Sequence, residues 1–170
     1  HAECLDDVCA LVTARVDADI AAQVERFVRQ YYAGIATTDL GERPIDDLYG
    51  SALSHWRYAA VRRAGETSLH IYNPQVDEHG WQSTHTVVEL VLDDMPFLVD
   101  SVRMAVNRFA STIHLVVHPV MRVQRDADGR LVDVLDWTDE QPGAVLEAVM
   151  RLEIDRQGDL DNCEELHAEV

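Results

Sequence analysis

Apolar positions change their spacing once along the chain, near residue 68. Up to that point the period is helical. Leu5, Val8, Cys9, Val12 and Val16 fall on one face of an opening helix. Ile20, Val24, Phe27, Val28, Tyr31 and Ile35 mark one face of a second, which Asp17 or Asp19 can cap. TTDLGERP interrupts the pattern. Pro44 suits the first turn of a third helix carrying Ile45, Leu48, Tyr49, Ala52, Leu53, Trp56, Ala59 and Ala60, ended by Gly65. Gly50 sits inside that helix at some cost in propensity.

Beyond residue 68 the period is 2. SLHIYNP reads as a short strand stopped by an Asn-Pro turn, and VDEHG as another turn before Trp81. THTVVELVLD sets Thr86, Val88, Leu90 and Leu92 against His85, Val87, Glu89 and Val91, the pattern of a central strand. TIHLVVHPVMRVQRD is a second long strand, bent at Pro119, which has no amide for the ladder. DADG closes a hairpin in which Gly129 takes positive φ, and RLVDVLD returns. In AVMRLEID, Ala148, Met150, Leu152 and Ile154 alternate with Val149, Arg151, Glu153 and Asp155, so a strand is predicted rather than the helix that Val145, Leu146, Val149 and Leu152 would allow. Leu160, Cys163, Leu166 and Val170 suggest a last helix left unfinished, so the chain reads as part of something longer.

Between the long strands lies LVLDDMPFLVDSV. Leu98, Val102, Ala105 and Phe109 form a helical stripe, with Asp100, Arg103 and Asn107 opposite. Pro96 is shaped for the first turn, and Asp94 is placed to accept hydrogen bonds from the first free amides. A competing reading gives Asp93, Asp94 and Asp100 a divalent cation or an acid–base pair. Neighbours at a strand end diverge, and the helix turns Asp100 to another face, so structural roles are favoured. His114 and His118 share one side of a strand, but four strand residues span about 13 Å, too far for one metal ion unless Pro119 bends the chain sharply. His70 and His85 could join them only across the sheet. Half-buried strand histidines are the simpler reading, and no metal site is predicted.

Charge narrows the function. The chain carries 14 basic and 31 acidic residues, net −17, a field that repels phosphate backbones and anionic lipid; neither nucleic acid nor membrane is an expected partner. Every basic residue is arginine. The absence of lysine excludes a Schiff base, a P-loop lysine and any ammonium acid or base. G-x-S-x-G, G-x-G-x-x-G and H-E-x-x-H are all missing, so no catalytic residue, cofactor cradle or bound cofactor is predicted for this chain. Cys4, Cys9 and Cys163 lack C-x-x-C spacing and read as free thiols. No apolar run reaches membrane-spanning length and no secretory leader is visible, which points to the cytoplasm.

The order strand, DDMP turn, helix, strand, hairpin, strand, helix resembles the βαββαβ plan of ACT domains. DLYG, HW, YNP, GWQSTHTVVELVLDDMPFLVDSV, HLVVHPV and RDADG together resemble the N-terminal region of the large bacterial NAD-specific glutamate dehydrogenases. The fold so implied is α+β: an N-terminal helical segment, 1–66, then an ACT-like, ferredoxin-like βαββα(β) antiparallel sheet, 67–170, with helices on one face and its last strand lacking. A free sheet edge and dimerisation through it would follow. The parent enzyme implied by the resemblance deaminates L-glutamate oxidatively to 2-oxoglutarate and ammonium with NAD, in a catalytic domain far from this region. The chain would then be regulatory or architectural, packing on the rest of its own polypeptide and within a homo-oligomer. The alternative is an amino-acid sensor whose effector sits at Asp94, Met95, Pro96 and Phe97. Phe97 stands where ACT domains usually carry glycine, and a bulky side chain there is expected to close the pocket.

Overall fold

A computed structural model describes residues 2–109 and 112–163. In chain order it contains α1 (Ala2–Arg15), α2 (Ala18–Tyr32), α3 (Thr37–Gly41), α4 (Ile45–Tyr58), β1 (Ser68–Tyr72), α5 (Val76–His79), β2 (Thr86–Asp93), α6 (Leu98–Arg108), β3 (Ile113–Val117), β4 (Val120–Arg125), β5 (Leu131–Leu135) and β6 (Val145–Ile154). A 3₁₀ turn over Leu160–Cys163 follows; the rest of the predicted last helix lies outside the described residues. The α+β class is the one the sequence predicts.

Local differences have simple causes. TTDLGERP and VDEHG hold the short helices α3 and α5, each too brief to show a period; Gly80 stops α5 at φ 76°. Pro44 is the residue before α4 rather than part of its first turn. Asp17 stands at the N-cap of α2, but its side chain makes no capping bond. Gly50 is explained by packing: a Cβ there would lie 2.6 Å from the Trp81 Cβ and 2.9 Å from the Gly80 carbonyl. At the DADG turn, Asp126 Oδ1 accepts the amides of Asp128 and Arg130, each at 2.9 Å. Gly129 takes φ 82°, and a Cβ there would collide with the Arg62 carbonyl.

Within the antiparallel sheet the order is β1-β2-β6-β4-β5, with β3 also on β6. β3 and β4 are successive parts of one strand broken at Pro119, and both run along β6; the Pro119 carbonyl still accepts the Val149 amide at 3.0 Å. Since β2 and the β3–β4 strand each pair antiparallel with β6, they are parallel to one another with β6 between them. This is a split β-α-β, with α6 as the crossover. In the βαββαβ plan the same rule sets the closing strand beside the first, here beside β2. That place is taken by β1, in register from Ser68↔Val91 to Tyr72↔Val87. The edge expected to be free is therefore filled by a strand arriving from the N-terminal side.

Both faces of the sheet are covered. On one, Val102, Ala105 and Val106 of α6 pack on Leu90, Leu92, Met150 and Leu152. On the other, Val12, Val28 and Leu53 of the N-terminal helices join Met121, Val134 and Val149 in one apolar cluster. Double burial explains why β2 and β6 carry apolar residues on both faces. Arg26 and Gln30 fix α2 to β5 through the carbonyls of Val134 (2.7 Å) and Leu135 (2.9 Å). Among the described residues no helix is long and apolar enough to cross a membrane.

Candidate functional site

The segment from β2 to α6 is where the sequence singles out residues, and its geometry differs from a simple capped helix. After Asp93 the Asp94 amide donates to the Leu146 carbonyl at 3.2 Å, tying the turn to the start of β6. The chain then turns through Pro96 and Phe97, and α6 begins only at Leu98. Phe97 occupies the N-cap position at φ 59°, ψ 18°, the left-handed region, and is the non-glycine residue with positive φ among those described. This backbone is what the usual glycine supplies without strain. The predicted capping role of Asp94 is not realised: α6 has no side-chain cap, and Pro96 precedes the helix instead of opening it. Asp94 fails as a cap because the left-handed residue separates it from the first free amides.

Beneath the turn lies a cavity of about 290 Å³. Met95, Leu98, Val99, Val120, Ala148 and Met150 supply its apolar wall, while Asp94, Asp100 and His118 supply its polar groups. Phe97 lines the rim but remains 80% exposed, so it does not close the pocket as its bulk suggested. Of the predicted effector-binding residues, Asp94, Met95 and Phe97 line this cavity; Pro96 shapes the turn from outside it.

Asp93 parts from the other two aspartates, and the expectation that the helix turns Asp100 away from Asp94 is not met. Asp94 and Asp100 border the cavity, whereas Asp93 accepts a 2.6 Å bond from Arg62 Nη2. That arginine belongs to a network that the sequence did not reveal. Arg62 Nη2 also donates to Glu147 Oε1 at 2.8 Å, and Arg125 holds both oxygens of the same carboxylate at 2.8 and 2.9 Å. Arg62 further donates to the Glu66 carbonyl, and Arg125 to those of Ala59 and Gly129. The network joins the end of α4, the hairpin and the first residues of β6, one strand residue from the turn cavity.

A second buried polar group lies on the helical face of β2 and β6. His55 Nε2 donates to the Leu90 carbonyl at 3.1 Å, which leaves Nδ1 to accept the Tyr31 hydroxyl at 2.9 Å and fixes a neutral ring. Burial holds its pKa below the usual histidine value. The Tyr72 hydroxyl donates to Glu89 Oε1 at 2.6 Å, and burial together with that carboxylate pushes the phenol well up. Arg151 lies with its Cζ 5.5 Å from the ring centres of both Tyr31 and Trp81. Burial alone would raise the Glu153 carboxyl, but bidentate hydrogen bonds from Arg43 and the charge of Arg151 outweigh it and hold it low.

The histidines separate into different settings. His85 and His114 stack across the sheet end with centroids 4.2 Å apart, beside Glu153 and Asp155. They border a larger cavity of about 560 Å³ between the α3–α4 connection and the sheet. His118 is at the turn cavity, and His70 stacks between Tyr58 and Tyr72. Among the described residues no three His, Cys, Asp or Glu side chains come together to hold a metal ion. Cys4, Cys9 and Cys163 are free, and burial raises the Cys9 thiol pKa.

A split β-α-β in an antiparallel sheet, with a cavity under its strand-to-helix turn, defines an ACT-type module. The sequence model described as "Glutamate dehydrogenase, ACT1 domain" matches residues 27–170, and the chain belongs to that family as its N-terminal, ACT1 region. It is 38% identical over 157 residues to an NAD-specific glutamate dehydrogenase of Halomonas elongata, covering 92% of this chain and 10% of that protein. To the NAD-specific glutamate dehydrogenase of Pseudomonas aeruginosa it is 41% identical over 134 residues, covering 79% of this chain and 8% of the relative. The chain thus spans about a tenth of the length of the curated relatives it matches. No solved structure matches it.

Proposed function

We propose that the chain is a non-catalytic regulatory module of an NAD-specific glutamate dehydrogenase, the parent protein oxidising L-glutamate to 2-oxoglutarate and ammonium with NAD. Its own residues offer no route to that chemistry. Hydride transfer to NAD calls for a dinucleotide cradle, and this chain has no glycine fingerprint and no lysine. The observation that carries a regulatory role is the cavity under residues 94–97, roofed by a turn in a glycine-type conformation and tied through Leu146 to β6. A small molecule held there would set the relative positions of β2, α6 and β6. The sensing role, with an amino-acid effector at Asp94, Met95 and Phe97, follows from the same cavity.

The partners that fit this role are the rest of the parent polypeptide and further copies of it. Exposed apolar side chains of Met95, Phe97, Val145 and Leu146 near the turn supply contact surface for either.

Two measurements test the proposal. The chain alone is expected to show no glutamate-dependent reduction of NAD; turnover by it would overturn the non-catalytic assignment. The parent enzyme without this segment is expected to keep turnover and lose its response to added amino acids. An unchanged response in that shortened enzyme would remove the regulatory role.

A further inference from the structure

We propose that His85 and His114 form a proton-operated latch: with both rings neutral, Glu153 holds Arg43 and closes the α3–α4 connection onto the sheet, and protonation of His85 frees Arg43 and opens it. The device lies at the opposite end of β2 from the turn cavity and is independent of any ligand there. The two rings stack with centroids 4.2 Å apart and planes 19° from parallel. His114 Nε2 donates to Asp155 Oδ1 at 2.6 Å, and His85 Nδ1 lies 3.4 Å from Glu153 Oε2. Between about pH 8 and 5 imidazoles are the side chains whose charge ordinarily changes. Asp155 stays anionic over that range, since its bonds from His114 and the Thr112 amide hold its carboxyl below the usual value. Burial opposes the same outcome for Glu153, but the bonds from Arg43 and the charge of Arg151 prevail.

The charged groups facing the stack set the order of the two protons. Asp155 can meet an imidazolium on His114 directly. Glu153 is already engaged: Arg43 holds it at 2.8 and 2.9 Å, and Arg151 Nη2 lies 3.7 Å away. Arg156, reaching the Ser83 carbonyl at 3.4 Å, adds positive charge beside His85. A proton on His85 would thus stack one cation on another and bring a third to a single buried carboxylate, so one must leave. Arg151 cannot, being 1% exposed with its Cζ 5.5 Å from the ring centres of Tyr31 and Trp81. Arg43 can. Its side chain is 30% exposed on the short link between α3 and α4, and Asp39, Glu42 and Asp47 border the same cavity of about 560 Å³ to receive it. Arg43 and the proton on His85 therefore compete for Glu153, and each weakens the hold of the other.

Titration of the chain followed by the histidine ring signals in nuclear magnetic resonance tests this. His114 should take up its proton at higher pH than His85. Arg43→Gln and His114→Gln should each raise the midpoint of the His85 step by about one pH unit. Across that step the protection of the Glu42 and Arg43 amides, bonded to the Thr38 and Leu40 carbonyls, should fall about tenfold in hydrogen exchange, while the amides of β2 and β6 stay protected. Protection retained in β2 and β6 also reports that each variant is folded. A His85 midpoint that either folded variant leaves unmoved, or a His85 step that precedes that of His114, would overturn the competition. Constant protection at Glu42 and Arg43, or an equal loss in β2 and β6, would overturn the local opening.

Discussion

Arg62 donates to Glu147 at 2.8 Å although the two lie 85 residues apart, and their side chains are 2% and 1% exposed. Glu147 also carries Arg125, so one buried carboxylate is shared by two guanidinium groups, and Asp93 supplies the second negative charge through Arg62. Removing the shared partner should cost far more than removing one of its cations. Glu147→Ala leaves Arg125 without a counter-charge and Arg62 with the half-exposed Asp93 alone, and should cost about 3–5 kcal/mol. Arg62→Met leaves the Arg125 pair intact and keeps much of the volume, so its cost should be clearly smaller. Urea denaturation of both variants checks the order; equal costs would mean that the second arginine adds nothing.

Phe97→Gly should stabilise the chain. A left-handed backbone costs a residue with a Cβ about 1–2 kcal/mol, and glycine returns about 0.5–1 of that through its looser unfolded state. The side chain is 80% exposed, so little burial is lost. A rise of about 0.5–1 kcal/mol is expected in thermal unfolding, and a loss of more than that amount would show that the ring is held by contacts.

Gly50→Ala should do the opposite of what helix propensity predicts. Alanine favours a helix interior by about 1 kcal/mol. Here its Cβ would stand 2.6 Å from Trp81 and 2.9 Å from the Gly80 carbonyl, and a backbone atom cannot swing aside. Overpacking of this kind costs about 1–3 kcal/mol, giving a small net loss that denaturation can read.

Acid should destabilise the chain in two stages. His55 has a folded pKa below its ordinary 6.5, so below that pH the unfolded chain takes up a proton that the folded chain refuses. Glu153 is also depressed below its ordinary 4.5; its contribution is complete above that value and is lost as pH falls through the folded one. Stability measured from pH 8 to 3 should therefore begin to fall near 6.5 and fall again below 4.5. His55→Gln should flatten the first stage only; an unchanged curve would assign it to other groups.

How far the sequence disclosed the fold depended on element length and on the reach of each contact. β2, β6 and α6 were legible because eight to eleven residues show a period, whereas α3 and α5, at five and four, do not. Pro119 disclosed its own break in the strand. The turn at 94–97 was found as a place, but Asp94 was misassigned as a cap because positive φ at Phe97 is invisible in a residue type that rarely adopts it. The Arg62–Glu147–Arg125 group and the stacking of His85 on His114 were hidden for another reason. Their partners meet only after β6 is inserted between β2 and β3–β4, and no local spacing encodes that event. Gly50 gave a usable hint: a glycine inside a good helix signals a close neighbour, here Trp81.

The placement of β1 bears on how such a module could be cut out or grafted. A piece beginning at residue 86 would keep every element of the split β-α-β yet bare the amides and carbonyls of β2 that residues 68–72 now engage. Open ladders of that sort recruit neighbouring molecules. The sheet is therefore not a portable cassette, because its flank is stitched by chain that precedes it, and only a transplant that carries this leading strand would keep the border sealed.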